Sequence, residues 1–258
     1  MPIRVGVQIQ PQHADFSGMQ KAWREAESLG VDTIYTWDHF YPLYGDPDGA
    51  HYEGVVALTA LAASTERVRI GGLVFCNSYR NPQLLANAHS SIDNLSGGRV
   101  ILGIGAGWFE RDYDEYGYEF GTAPDRLRAL SRDLPLIKER LGKLVPGPTG
   151  PMPILIGGAG EKVTLRLVAE HAQMWHSFGD REVYEHKSAI LAEHCAKIGR
   201  DPAEIERVWG SRGAVTEEAD ELAAAGISEL TIGIGGDGHG YDLGPLRELL
   251  QWRDRYNA

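Results

Sequence analysis

A (β/α)8 barrel is the fold that this 258-residue sequence predicts, and three observations predict it. Eight short apolar runs alternate with helix-like segments from one end of the chain to the other. No linker or shift in composition divides them, so residues 1–258 read as one barrel domain. Glycine and polar clusters fall where the apolar runs end, the side on which parallel α/β folds gather their sites. A large doubly wound sheet is the alternative, but it usually opens with a glycine-rich turn after its first strand. Gln8-Ile9-Gln10-Pro11 is not such a turn.

Ile3, Val5, Val7 and Ile9 alternate and predict a first strand. Ser17 and Gln20 form a capping-box pair, after which Met19, Ala22, Trp23, Ala26 and Leu29 keep helical spacing until Gly30. Residues 31–37 are mostly β-branched or aromatic, so they predict a strand buried on both faces that ends in Asp38-His39-Phe40. A Pro-, Gly- and Asp-rich loop covers 41–49, and a helix is expected near 53–63. The third strand spans 68–75. Pro82 then opens a helix whose stripe is Leu84, Leu85, Ala88, Ile92 and Leu95, stopped by Gly97-Gly98. A fourth strand covers 99–105, and an irregular aromatic and acidic segment follows to Thr122, long enough to suggest a functional loop.

The helix expected over 124–141 should be kinked or shortened at Pro135. A turn-rich connector fills 143–153. Strand five at 154–156 leads to a helix at 161–171, and strand six at 173–177 to a helix at 183–198 that turns Ile190, Leu191, His194 and Ile198 inward. Strands seven and eight lie at 205–210 and 229–234, with a helix near 217–225 between them and a closing amphipathic helix at 243–256.

Thirty-six acidic against 25 basic residues give a net charge of −11, which argues against nucleic acid or an anionic membrane as the main partner. Cys76 and Cys195 make neither a disulfide framework nor a metal spacing. The nine histidines fall in no metal-binding pattern, and there is no G-x-S-x-G elbow. With no apolar leader and no run of membrane-spanning length, a cytoplasmic location is expected.

Barrel topology alone brings His39, Asn77, Trp108, Gly157 to Gly160, His176 and Gly235 to Gly240 to one mouth. Imidazole titrates near neutrality, so His39 is a candidate for proton transfer; the plainer alternative is that Asp38 caps a loop and His39 is an ordinary hydrogen-bonded histidine. Gly157-Gly158-Ala159-Gly160-Glu161, at an expected helix start, offers backbone N–H groups to a phosphate, unless the glycines only make a tight turn. Gly103-Ile104-Gly105-Ala106-Gly107-Trp108 lacks the third glycine of a dinucleotide fingerprint and better suits the approach of a flat ring. Cys76 is either a nucleophile or a small apolar filler. Aromatic walls, a proton-transfer histidine and an anion cradle suit a flat, phosphorylated cofactor.

The segments Tyr35-Thr36-Trp37-Asp38-His39-Phe40, Gly72-Leu73-Val74 through Tyr79-Arg80-Asn81-Pro82, Leu95 to Val100 with Gly103 to Glu110, and Pro153 to Gly158 resemble the luciferase-like monooxygenase superfamily. Within it they are most similar to the branch that uses the deazaflavin coenzyme F420, and Trp-Asp-His-Phe favours deazaflavin over flavin mononucleotide (FMN). The resemblance implies that Asp38 and His39 sit beside the reactive ring and that Leu73-Val74 forms a bulge under it, often with a cis peptide. It further implies that Gly105, Ala106 and Gly107 line the ring edge and that Gly157, Gly158 and Gly160 hold the phosphate. The implied activity is hydride transfer between F420 and a small organic substrate, His39 carrying the proton, in a homodimer. An FMN-dependent monooxygenase fed by a partner reductase is the second reading, and a barrel that binds cofactor without turnover the third.

Overall fold

The eight expected units close on themselves in a computed structural model, which describes residues 2–211 and 216–258. Strands β1 (Arg4–Ile9), β2 (Thr33–Thr36), β3 (Arg69–Gly72), β4 (Phe75–Cys76), β5 (Val100–Gly105), β6 (Ile154–Gly157), β7 (Met174–Phe178), β8 (Glu206–Gly210) and β9 (Glu229–Ile234) are all parallel. β9 pairs with β1, and β3 and β4 both pair with β5, so β3 and β4 are two halves of one barrel strand. Around this ring run α1 (Phe16–Ser28), α2 (Gly54–Ser64), α3 (Pro82–Ser96), α4 (Glu110–Tyr116), α5 (Ala123–Leu141), α6 (Thr164–His171), α7 (Arg181–Lys197), α8 (Thr216–Ala225) and α9 (Gly244–Tyr256).

Alternation along the strands divides the core in two. Outward residues such as Val5, Val7, Ile34, Ile70, Leu102, Ile104 and Ile156 pack under the helices. Inward residues Tyr35, Ile101, Leu155, Met174 and Val208 fill the barrel, with Leu73 and Val74 above them. Each such side chain, fully buried, contributes about 1.5–3 kcal/mol from its apolar surface.

Several local expectations change. Asp15, not Ser17, caps α1, accepting from the Gly18 N–H at 2.6 Å. The third strand is interrupted at Leu73-Val74, whose peptide is cis. Ile70 pairs with Val100 and Phe75 with Ile104, so five steps on one strand face four on the other, a one-residue bulge. The buried stripe of α3 is turned by one residue, onto Leu85, Ala86, His89 and Ile92, and leaves Leu84 and Leu95 exposed. The segment after β5 contains α4, so it is not wholly irregular.

α5 runs unbroken through Pro135, because that residue lies on the exposed face, where the carbonyl it leaves unpaired can meet water. α6 begins at Thr164, three residues later than expected, and α7 turns Tyr184, Leu191 and Cys195 inward while Ile198 is exposed. No helix among the described residues is long and apolar enough to cross a membrane.

Candidate active site

β2 ends at Thr36 and delivers Trp37, Asp38 and His39 to the carboxyl-terminal rim. Asp38 is sealed there at 1% exposure, with both oxygens engaged: Arg80 donates to them at 2.7 and 2.8 Å, and the Cys76 N–H donates at 2.9 Å. Burial raises its pKa against the pull of Arg80. Arg80 also pairs with Glu53, the cap of α2. Expected beside a flat ring, Asp38 is an anchor that ties the end of β2 to β4 and to the start of α2.

His39 stands differently. Its Nδ1 lies 2.7 Å from Asp112 Oδ2, and Asp112 is fully buried on α4. The Asp112 carboxylate also accepts from the Phe40 N–H (3.1 Å), the Tyr41 N–H (3.2 Å) and the Tyr79 hydroxyl (2.8 Å). A carboxylate held by these donors fixes the imidazole with its proton on Nδ1 and leaves Nε2 as the basic nitrogen. Nε2 has no partner among the described residues and is not closed off from solvent. Trp37, Trp108 and Phe109 surround the ring edge-on at centroid distances of 5.6, 5.8 and 5.6 Å.

The bulge shapes the neighbouring wall. Gln8, inward on β1, donates to the Leu73 carbonyl at 2.6 Å, and the Leu73 N–H donates to Thr36 O at 2.8 Å. Val74 lies over bare backbone on both sides: a Cβ on Gly105 would come within 2.8 Å of its Cγ2, and one on Gly157 within 2.9 Å of its Cγ1. Ala106 is partly exposed on the same rim, whereas Gly107, at φ +84°, has Tyr113 Oη and Cys76 Sγ where a Cβ would be. Asn77 is buried; its side chain donates to Asp133 at 2.9 Å and its Oδ1 has no partner among the described residues. Burial pushes the Cys76 thiol up to about 11, and its sulfur lies 3.2 Å from the Tyr113 hydroxyl, which favours the filler role over a nucleophile.

On the opposite wall the His176 side chain, inward on β7, has no hydrogen-bond partner among the described residues, and desolvation pushes its imidazole down to about 4. Gly158 follows β6 at φ +121°; its N–H donates to the His176 carbonyl at 2.9 Å and its own carbonyl accepts from the Trp175 indole. The Gly158 amide is therefore spent in the sheet. The backbone N–H groups of residues 159–163, including that of Gly160, have no acceptor among the described residues, and Lys162 is exposed beside them. Glu161 is paired with Lys187 and His186.

The structure thus gathers His39, Leu73, Val74, Gly105, Ala106, Gly157 and His176 at the mouth and sets Asp38 and Asn77 behind it. Sequence reasoning missed Asp112 and Tyr79. The only signal of Asp112 was an acidic residue beside an aromatic one, Asp112-Tyr113, in a segment otherwise suited to solvent, and Tyr79 stood in the Tyr79-Arg80-Asn81-Pro82 stretch with no role assigned to it. A cavity of about 570 Å³ lies elsewhere on the loops, between residues 13–15, 45–52 and 236–238. Among the described residues no group of His, Cys, Asp and Glu is arranged to hold a metal.

A family profile described as "Luciferase-like monooxygenase" matches residues 1–242. The chain belongs to the luciferase-like monooxygenase family. An uncharacterised protein of Mycobacterium tuberculosis is 28% identical over 275 aligned residues, covering 93% of this chain and 92% of the relative. An F420-dependent glucose-6-phosphate dehydrogenase of Amycolatopsis mediterranei is 35% identical over 116 residues, which are 44% of this chain and 34% of that enzyme. The alignment thus spans about a third of that dehydrogenase. Among solved structures, an F420-dependent secondary alcohol dehydrogenase shares the fold with a TM-score of 0.81 at 16% identity, covering 90% of this chain and 93% of that one. The F420-dependent tetrahydromethanopterin reductase of Methanopyrus kandleri shares it with a TM-score of 0.79 at 15% identity, over the whole of both chains. The expected luciferase-like barrel is confirmed.

Proposed function

We propose that this luciferase-like protein is an oxidoreductase that uses coenzyme F420 to move a hydride to or from a small organic substrate, with His39 handling the proton. The observation that carries this reading is an imidazole fixed through Nδ1 by buried Asp112, at a mouth whose facing strand ends are the glycines of β5 and β6. The residues present fit such a cofactor. Gly105 and Gly157 leave backbone without side chains beside Val74, which suits a flat ring, and the unpaired N–H groups at 159–163 with Lys162 suit a phosphate. When bound, the deazaflavin supplies a two-electron hydride couple.

The chain's own residues do the rest. Asp112 holds His39 in one tautomer, Nε2 takes or gives the proton that accompanies hydride movement, and Trp37, Trp108 and Phe109 set the orientation of the ring edge-on. His176, kept neutral by desolvation, offers the facing wall a polar contact without charge. The relatives named as F420-dependent enzymes support the cofactor assignment. With this reading goes a cytoplasmic homodimer, the dimer resting on family resemblance. The deciding experiment titrates purified protein with oxidised F420 and, separately, with FMN, following absorbance. Binding of F420 with no binding of FMN supports the proposal; the reverse moves the protein to the monooxygenase reading.

A further inference from the structure

We infer that His51 is a positioning residue for the His39 centre: it accepts the hydrogen bond of the Trp37 indole and so fixes the wall against which the His39 ring stands. The inference rests on the role proposed above for His39, but the His51–Trp37 contact can be tested without it. Trp37 is 5% exposed; its Nε1–H donates to His51 Nε2 at 2.9 Å, and the two rings lie within 6° of parallel. An indole N–H can only donate, so His51 Nε2 must be free of a proton and a neutral His51 carries its proton on Nδ1. Burial keeps it neutral, pushing its pKa down to about 4, and the charge of a protonated His39 would act in the same direction.

The segment that carries His51 is clamped on both sides. The His13 N–H donates to Ala50 O at 2.9 Å and the Tyr52 N–H to Pro11 O at 3.0 Å, with Gln12 and His51 paired across an antiparallel bridge. On its other side Trp37 meets His39 at 90°. Asp112 restrains His39 at one nitrogen only, so the ring's second restraint is its aromatic surround. Of the three aromatic neighbours, Trp108 is 64% exposed and Phe109 has no polar handle. Trp37 is both buried and pinned through its side chain. A chain of contact therefore runs from the loop clamp through His51 and Trp37 to His39.

The test uses the full chain without cofactor and compares His51→Leu, which accepts nothing, with His51→Gln, whose Oε1 can accept. The Trp37 indole N–H resonance, assigned with Trp37→Phe, should lose its hydrogen-bonded shift in His51→Leu and exchange roughly tenfold faster with solvent, and His51→Gln should restore both. Carbethoxylation of His39, followed by peptide mass spectrometry, should become roughly fivefold faster in His51→Leu and return towards wild type in His51→Gln. The double variant Trp37→Phe/His51→Leu should match Trp37→Phe alone. If His51→Leu does not fold, that pair carries the comparison, since a phenyl ring at position 37 leaves no indole N–H to satisfy.

An unchanged indole signal in His51→Leu overturns the inference. So does a double variant that labels His39 faster than Trp37→Phe, because His51 would then act independently of the indole. Failure of the wild type to bind F420 would remove the functional reading, while the indole and labelling results still decide whether His51 holds Trp37 against His39.

Discussion

At the amino-terminal end of the barrel the inward charges are paired with one another; at the carboxyl-terminal end the inward positions are glycines and imidazoles with open valences. Glu229, fully buried, accepts from Thr33 Oγ1 and Tyr35 Oη, each at 2.8 Å, and from Arg4 at 3.5 Å. Glu206 takes Arg4 at 2.5 Å and Arg69 at 3.1 Å. That end is a closed network, and a closed network holds a fold together. At the other end His39 Nε2 and His176 lack partners among the described residues, and Gly105 and Gly157 give up side-chain packing. Because a protein seldom leaves polar groups unmet at no gain, the contrast supports the proposed site at one rim and a stabilising role at the other.

Substitutions at the two ends should therefore separate cleanly. His39→Ala should lower single-turnover hydride transfer roughly 10² to 10⁴-fold while F420 affinity, followed by titration, changes little. A variant as fast as wild type would show that His39 only packs the loop. Asp112→Ala joins the two classes: it strands the His39, Phe40, Tyr41 and Tyr79 donors, and should cost about 3 kcal/mol in urea unfolding as well as slowing turnover. If stability fell with no loss of rate, the dyad would belong to the structural end of the comparison.

Gly158→Asp, at φ +121° beside the unpaired N–H groups, should weaken cofactor binding by about 2 kcal/mol through strain and like charge, with the fold retained. Unaltered affinity would reduce the loop to a turn. The smallest effect is expected at the closed end, where Glu229→Gln should cost about 1 kcal/mol of stability and leave turnover per folded molecule untouched.

That site also has a pH signature. Desolvation raises the Glu229 carboxyl above its ordinary 4.5, so the folded state binds the proton more tightly than the unfolded chain. Its contribution is complete below pH 4.5 and is lost as pH rises through the folded value. The stability difference between wild type and Glu229→Gln should shrink with rising pH; a difference that grows would reverse the assignment of desolvation as the dominant cause.

The ring of strands was legible in the sequence because apolar periodicity is a local signal and the eight runs repeat it without interruption. The placement of His39 at the rim was legible for a related reason, as a titratable group directly after a buried strand. Asp112 was not, because its role depends on α4 folding back over β2, a contact between residues 73 positions apart. The fate of Asp38 was equally invisible: only the fold places Arg80 and the Cys76 amide around it. The start of α6 was misplaced because glycines signal a turn without saying how many residues the turn uses.

The extra residue between β3 and β4 has a further consequence for how this rim can change over time. Leu73 and Val74 both face the lumen, while Gly71 before them faces in and Phe75 after them faces the helices. Removing either residue would leave four steps facing four: plain alternation would return, Phe75 would stay under the helices, and the wall would lose one lumen-facing side chain. Loss or retention of this one residue is thus an open route of variation at this wall, because it changes how many side chains line the lumen without reversing the direction of those that follow.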